Sequence, residues 1–268
     1  MIMKYTTIIT LIFSLFVCFQ TYATEQTPDR LIIKGDTMDL HALPLYDLKD
    51  HNIWEKPMFP DSLSSTSTGC WRGYIAFWEL IDDKLYLTDI YNEALTAKAD
   101  LNTLFKGKIT NGKVHAYWFS DTVTAYKGKL LYYRHMGFSS IFEHEFEYVF
   151  ERGLLKNSLY FDNTKSKNTP YFMDLSPLRT TIDSLIDWKS LPTIEKPERV
   201  HLLVSSNELG QVDSVLEIDG KSDIYKQEAL RVARSITQLP VIYKRGKHLK
   251  EQMVLQFVFT REKQKKYQ

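Results

Sequence analysis

The chain has 268 residues, 44% hydrophobic and 25% charged, which is enough for one large domain or two ordinary ones and excludes a wholly disordered segment. Its 34 basic and 33 acidic side chains leave a net charge of +1, so there is no electrostatic footprint for nucleic acid. Aromatic residues make up 13% and gather before residue 165, which favours strands, because flat rings pack well on pleated surfaces.

Residues 1–23 read as a cleaved signal peptide. Lys4 supplies the positive start, residues 8–19 form an apolar run, and Thr21-Tyr22-Ala23 puts small residues at the positions a signal peptidase requires. The run is short for a membrane span, which needs about 20 residues. The expected location is therefore periplasmic or secreted, with cleavage after Ala23. An uncleaved anchor is the alternative and would bring membrane contact. A lipoprotein reading through Cys18 meets Val17 where a small residue is needed. After cleavage Cys70 stands alone, which rules out an internal disulfide and predicts a small buried residue beside Trp71.

Residues 24–165 are expected to form a β-rich domain of unknown function. Residues 24–68 read as irregular, broken by Pro28, Pro44, Pro57 and Pro60, with a short strand over 30–34 and a polar loop over 62–69. Period-two alternation then predicts a hairpin, with residues 74–80 and 84–90 joined by Asp82-Asp83. Asn111-Gly112 predicts a turn and residues 113–119 a strand. Lys127-Gly128 precedes another strand over 129–133. Residues 141–152 alternate cleanly: Phe142, His144, Phe146, Tyr148 and Phe150 share one face, and Glu143, Glu145, Glu147 and Glu151 share the other. Gly153 turns the chain, and residues 154–161 return. The domain should be mainly antiparallel with one buried and one wet face.

Residues 166–197 are expected to be a helical linker. Ser176 caps a helix with Pro177 at its first position, apolar residues suit one face through Lys189, and Pro192 stops it. The last domain spans 198–262: a strand over 199–205, a turn at 207–210, a strand over 211–218, a helix over 222–236, a stop at Pro240, a turn at Gly246 and a long strand over 249–259. The helical stripe is Ile224, Leu230, Ala233 and Ile236, with Ala229 and Val232 beside it. Residues 263–268 read as a frayed basic tail. The fold class is thus α+β, an N-terminal antiparallel β domain followed by a small ββαβ domain.

The residues of that last domain carry a resemblance. Gly210-Gln211-Val212-Asp213-Ser214-Val215, Ser222-Asp223-Ile224, Glu228-Ala229-Leu230-Arg231-Val232-Ala233, Leu239-Pro240 and Gly246-Lys247-His248-Leu249 together resemble a TonB C-terminal domain over residues 198–260. The resemblance implies a sheet backed by one helix whose open edge grips a short segment of an envelope protein, such as an outer-membrane receptor. The binding element carried over is Met253, Val254, Leu255, Gln256 and Phe257. A TonB-type energy transducer also has an uncleaved anchor and a Pro-rich spacer, and a β-rich domain occupies the spacer's place here. A Tyr-Pro motif usually precedes the first strand, where this chain has Lys196-Pro197. An adaptor or binding role is therefore favoured over transduction. The segment 71–79 with Leu85-Tyr86-Leu87 also looks like a recurrent element of uncharacterised bacterial β-rich proteins.

No catalytic group, cofactor or metal is expected. None of His41, His51, His115, His135, His144, His201 and His248 pairs with another at metal-ligand spacing on a helix. His135 and His144 with Glu143 and Glu145 form the best metal alternative; histidines bonded at strand ends are the simpler reading. The glutamate row reads as a solvated face with lysines opposite. Ser139 and Ser140 lack the Gly-x-Ser-x-Gly elbow. Trp71, Tyr74, Trp78 and Trp118, with Trp54, form the alternative ligand site for a glycan or lipid, weighed against a role in the core.

Overall fold

A computed structural model describes residues 25–49, 53, 57–64, 66–134, 136–167, 174 and 176–268. The signal segment, His51, Trp54 and His135 lie outside the described residues. The protein is mixed α+β, mostly strand, with one large, mainly antiparallel sheet.

Residues 24–68 hold more order than their prolines suggest. β1 (Asp29–Ile33) and β2 (Asp36–Leu40) form a hairpin across Lys34-Gly35, both with positive φ. The expected strand is there, and so is a second one. Its sequence, Asp-Thr-Met-Asp-Leu, hides an alternation in which only Met38 and Leu40 point inward. β3 (Tyr74–Ile81) and β4 (Lys84–Asn92) form the expected hairpin. Asp82 and Asp83 both take positive φ, as a two-residue turn of this twist requires.

A short helix α1 (Leu101–Leu104), capped by Asp100, leads to β5 (Ile109–Thr110) and β6 (Lys113–His115) around the Asn111-Gly112 turn. The strand expected over 113–119 stops at His115, because residues 116–119 make a turn closed by the Phe119 amide on the Ala116 carbonyl. β7 (Asp121–Tyr132) runs straight through Lys127-Gly128. That dipeptide is a bulge in the pairing with β8 (Ile141–Glu151) and does not begin a separate strand. Gly128 sits at φ +92°, and a Cβ there would lie 2.6 Å from the Glu143 carboxylate, which accepts the Lys129 amide instead. β9 (Leu154–Asp162) completes the sheet.

The strand pairings close on themselves. β1, β2, β7, β8, β9, β4 and β3 follow one another around a ring, with β1 and β3 parallel and every other neighbour antiparallel. The β5–β6 hairpin hangs from β4. Closure is narrow at β9, which meets β4 only at Lys84↔Leu154, so among the described residues β9 beyond Leu155, and the outer flank of β5, have no ladder partner. The core holds Leu31, Leu40, Trp78, Leu87, Phe119, Ala125 and Phe150, all nearly inaccessible.

Helix α2 (Ser176–Leu185) ends four residues short of the expected Lys189. Its first amide bonds the Asp174 carboxylate, so Asp174 takes the capping role expected of Ser176. The second sheet is built from β10 (Glu198–Ser206) and β11 (Val212–Asp219), then helix α3 (Asp223–Ser235), the hairpin β12 (Ile242–Lys244) and β13 (Lys247–Leu249), and finally β14 (Gln252–Phe259). The order in this sheet is β11-β10-β14. Helix α3 buries Tyr225, Ala229, Val232 and Ala233, so its stripe is rotated from the expected one and Ile224 faces outward. The single long strand expected over 249–259 is broken at residues 250–251, which frees β12–β13 to act as a separate hairpin.

That hairpin seats on the large sheet. Val241 and Lys167 exchange both backbone hydrogen bonds, the Tyr243 amide donates to Ser166 Oγ, and the Gly246 amide donates to Asn163 Oδ1. Arg245 lies over the Phe161 ring and pairs with Glu147 at 2.5 Å, while Arg134 pairs with Glu251. The hairpin covers part of the glutamate face of β8: Glu145 is buried there, and burial pushes its carboxyl above the ordinary range. The expected solvated row is therefore wet only in part.

The basic tail also departs from expectation. α4 (Arg261–Tyr267) is a helix capped by Thr260 and stacked back on the linker, with Tyr267 against Trp188. Gln264 is buried: its Nε2 lies within 3.3 Å of the Trp188, Leu191 and Pro192 carbonyls, and its Oε1 accepts the Ile194 amide. Replacing Gln264 by alanine strands those groups away from water and should lower stability by about 2–3 kcal/mol. The exposed neighbour change Lys265→Ala should stay within about 0.5 kcal/mol. Urea denaturation of the two variants measures the difference, and equal midpoints would show that the tail is loosely held.

Candidate functional site

Two regions gather the residues to which the sequence points. The first is the small sheet. β14 pairs with β10 along its whole length, from Glu198↔Phe259 to Ser205↔Gln252. Among the described residues, nothing pairs with its other flank, so alternate amides and carbonyls of Met253–Phe257 point away from the sheet without a ladder partner. Side chains alternate as a half-buried strand requires. Leu255 and Phe257 enter the core formed with Val200, Leu202, Ala229 and Val232. Met253 packs at its margin, Val254 is half exposed, and Gln256 Nε2 lies 3.1 Å from His201 Nε2. The five residues thus form one continuous edge.

The opposite edge is β11, which pairs only with β10 among the described residues. A bulge opposite Leu203–Val204 shifts its register, and Leu216 and Ile218 remain exposed. This second edge was not singled out from the sequence. Val215-Leu216 side by side in a strand was its one signal, because two consecutive apolar residues cannot both face the core without such a bulge. Gly210 (φ +80°) holds the β10–β11 turn against the helix exit: its carbonyl accepts the Leu239 amide, and a Cβ there would lie 2.8 Å from the Leu239 carbonyl oxygen.

The second region surrounds Asp29 on β1. Its carboxylate accepts from Arg72 Nη2 at 3.1 Å, the Ala76 amide at 3.1 Å and the Trp78 indole at 3.0 Å. Arg72 Nη2 also donates to the Thr27 carbonyl, and the guanidinium lies over the Tyr74 ring. Both members of the ion pair are inaccessible to solvent. This centre divides the four aromatic residues of the ligand reading. Trp78 and Tyr74 are buried, Trp118 is partly buried with its indole bonded to the Pro44 carbonyl, and Trp71 is half exposed beside Tyr46. Trp78 and Trp118 meet in the core at 6.4 Å, while Trp71 belongs to the surface. They do not share one face open to a ligand.

Other chemistry-bearing residues have structural partners. Cys70 is buried with its thiol donating to the Tyr74 carbonyl, and burial pushes that thiol up, away from the reactive thiolate. Ser140 is buried and its hydroxyl accepts the Arg134 amide. His144 Nδ1 lies 3.0 Å from the Tyr160 hydroxyl. Among the described residues no helix is long and apolar enough to cross a membrane.

No family model, curated protein or solved structure matches the chain.

Burial pushes the Asp29 carboxyl up from 3.8 to about 6, against the pull of Arg72. A group that binds its proton more tightly when folded stabilises the fold most below the unfolded value, and that contribution is lost as pH rises through about 6. His41, which burial lowers to about 4, acts in the opposite sense: its contribution is lost as pH falls. Comparison with Asp29→Asn isolates the aspartate. The stability of the wild type relative to that variant should drop by about 2 kcal/mol between pH 4.5 and 7.5. Denaturant titrations at the two pH values test this, and a relative stability that rises with pH would mean the carboxylate is held below its ordinary value.

Proposed function

We propose that this protein is an exported, non-enzymatic interaction module of a bacterial cell envelope, periplasmic or secreted, whose small sheet receives an extended partner segment along β14. The observation that supports the reading most is the outer flank of β14: the strand pairs with β10 along its whole length, and among the described residues its other side keeps a row of backbone donors and acceptors without a ladder partner. An extended peptide added there gains ladder hydrogen bonds, and alternate side chains set the preference. The resemblance of residues 198–260 to a TonB C-terminal domain supports the same edge and suggests an envelope protein or peptide, such as an outer-membrane receptor, as partner. A transducing role would require an anchor retained at the N-terminus. The partners of Cys70 and Ser140 favour binding over catalysis.

Two measurements bear on this. Protein recovered from a bacterial envelope should begin at Thr24, and N-terminal sequencing that finds Met1 would favour the anchored alternative. A photo-crosslinking residue at the half-exposed Val254 should form a specific adduct with another envelope protein, while the same residue at the exposed Leu159 on β9 should not. Absence of an adduct at Val254, or equal adducts at both positions, would argue against the β14 edge.

A further inference from the structure

The ring leaves one long strand half open. β9 pairs with β8 from Glu151↔Leu154 to His144↔Asp162, but it meets β4 only at Lys84↔Leu154. Residues 156–160 are all exposed, with Leu159 at 44% and Tyr160 at 53%. The polarity of this flank follows from the ladder. The Asn163 amide donates to the Glu143 carbonyl, so Phe161, Leu159 and Asn157 also direct their backbone groups to β8. The amides and carbonyls of Ser158, Tyr160 and Asp162 therefore point outward, where the described residues offer them no ladder partner. Edges are commonly blunted by a proline, a bulge or a covering segment. Residues 157–162 contain no proline, and their register on β8 is unbroken.

This flank is complementary to itself. Laid antiparallel on a second copy about a two-fold axis at Leu159, it sets Leu159 opposite Leu159, Ser158 opposite Tyr160, Asn157 opposite Phe161 and Lys156 opposite Asp162. The backbone accepts that register: the two Leu159 residues form a pair without mutual hydrogen bonds, and Ser158 and Tyr160, whose groups point outward, form the bonded pairs on either side. The charges accept it too. Lys156 and Asp162 are opposite in sign, both lie on the exposed part of the strand, and the two-fold axis uses their pairing twice. Moving the axis to Ser158 or to Tyr160 separates them. Within the chain Lys156 lies 3.5 Å from Glu151, and one Asp162 oxygen holds Thr164.

We propose that β9 is the interface of a symmetric dimer, in which two copies of this chain join edge to edge across Leu159 and their large sheets run on as one. The contact gives the outward amides and carbonyls of β9 their ladder partners and covers Leu159 and Tyr160. The same patch serves both copies, so the assembly closes at two and does not propagate. A strand pair this short buries less than a permanent interface, which makes the dimer concentration-dependent. β14 belongs to the other sheet and takes no part in the contact, so the dimer stands independently of the partner reading.

Sedimentation equilibrium of the chain recovered from the envelope, over a concentration series, should show a monomer–dimer equilibrium. Leu159→Lys sets two like charges face to face at the axis and should weaken the dimer roughly tenfold or more. Lys156→Asp and Asp162→Lys should each weaken it roughly threefold, and the two together should restore it, which damage to the monomer would not do. Leu159→Cys places two thiols on a pair whose Cα atoms are about 4.5 Å apart, so mild oxidation should link the copies. Asn157→Cys faces Phe161 and should not link them, and Cys70 is buried. Circular dichroism shows whether each variant folds; if Asp162→Lys does not, the Leu159 variants decide the matter. Four results would overturn the dimer: a monomer at every concentration, an association that Leu159→Lys leaves unchanged, a double charge reversal as weak as the single ones, or equal linkage from Leu159→Cys and Asn157→Cys.

Discussion

The Asp29 carboxylate determines how the large sheet closes. Among the described strands β1 and β3 are its one parallel pair, and parallel neighbours cannot be joined by a tight turn. The junction must therefore be specified by side chains. Asp29 sits at the first position of β1 and reaches across to two residues of β3, bonding the Ala76 amide and the Trp78 indole, with Arg72 just ahead of that strand. Removing water from an ion pair costs several kcal/mol per charge, and the pair is tolerable only when further hydrogen bonds complete it. Asp29 has two such bonds beyond Arg72, from the Ala76 amide and the Trp78 indole. The same geometry fixes the register, because a one-residue slip of β3 would turn Trp78 out of the core.

Much of the architecture was legible from residues 70–162 and 198–236. Period-two alternation and the Asp82-Asp83, Asn111-Gly112 and Arg152-Gly153 turns place strands that the structure contains. The legible signals are local: a turn needs positive φ, and a strand half-buried in a sheet alternates. The misreadings have equally local causes. Gly128 gives the same signal in a bulge as in a turn, and only the glutamate across the sheet distinguishes the two. The β2 sequence looks polar because its inward positions number only two.

What the sequence could not provide is contact between distant segments. Nothing near Glu145 announces that a hairpin some hundred residues later will cover it, and nothing in the lysines of the tail announces that Gln264 will fill a gap under Trp188. The ligand reading suffered in the same way. Trp71, Tyr74 and Trp78 are nearly adjacent in sequence, yet a strand sends them to different surroundings. Tyr46, the ring that stands beside Trp71, lies twenty-five positions upstream in a stretch read as irregular. The β14 edge was accessible because edge status follows from strand order in a small sheet.

The seating of the β12–β13 hairpin bears on how this molecule can be dissected. The hairpin belongs by sequence to the small sheet, lying between α3 and β14, but Val241, Ile242 and Tyr243 are buried, the Val241 backbone bonds Lys167 and the Tyr243 amide donates to Ser166 Oγ. Excising the C-terminal portion at residue 198 would strip that apolar surface of its cover and leave those amides without acceptors. Such a fragment would tend to self-associate through a face that is closed in the intact chain, and any capture made with it would sample stickiness created by the cut.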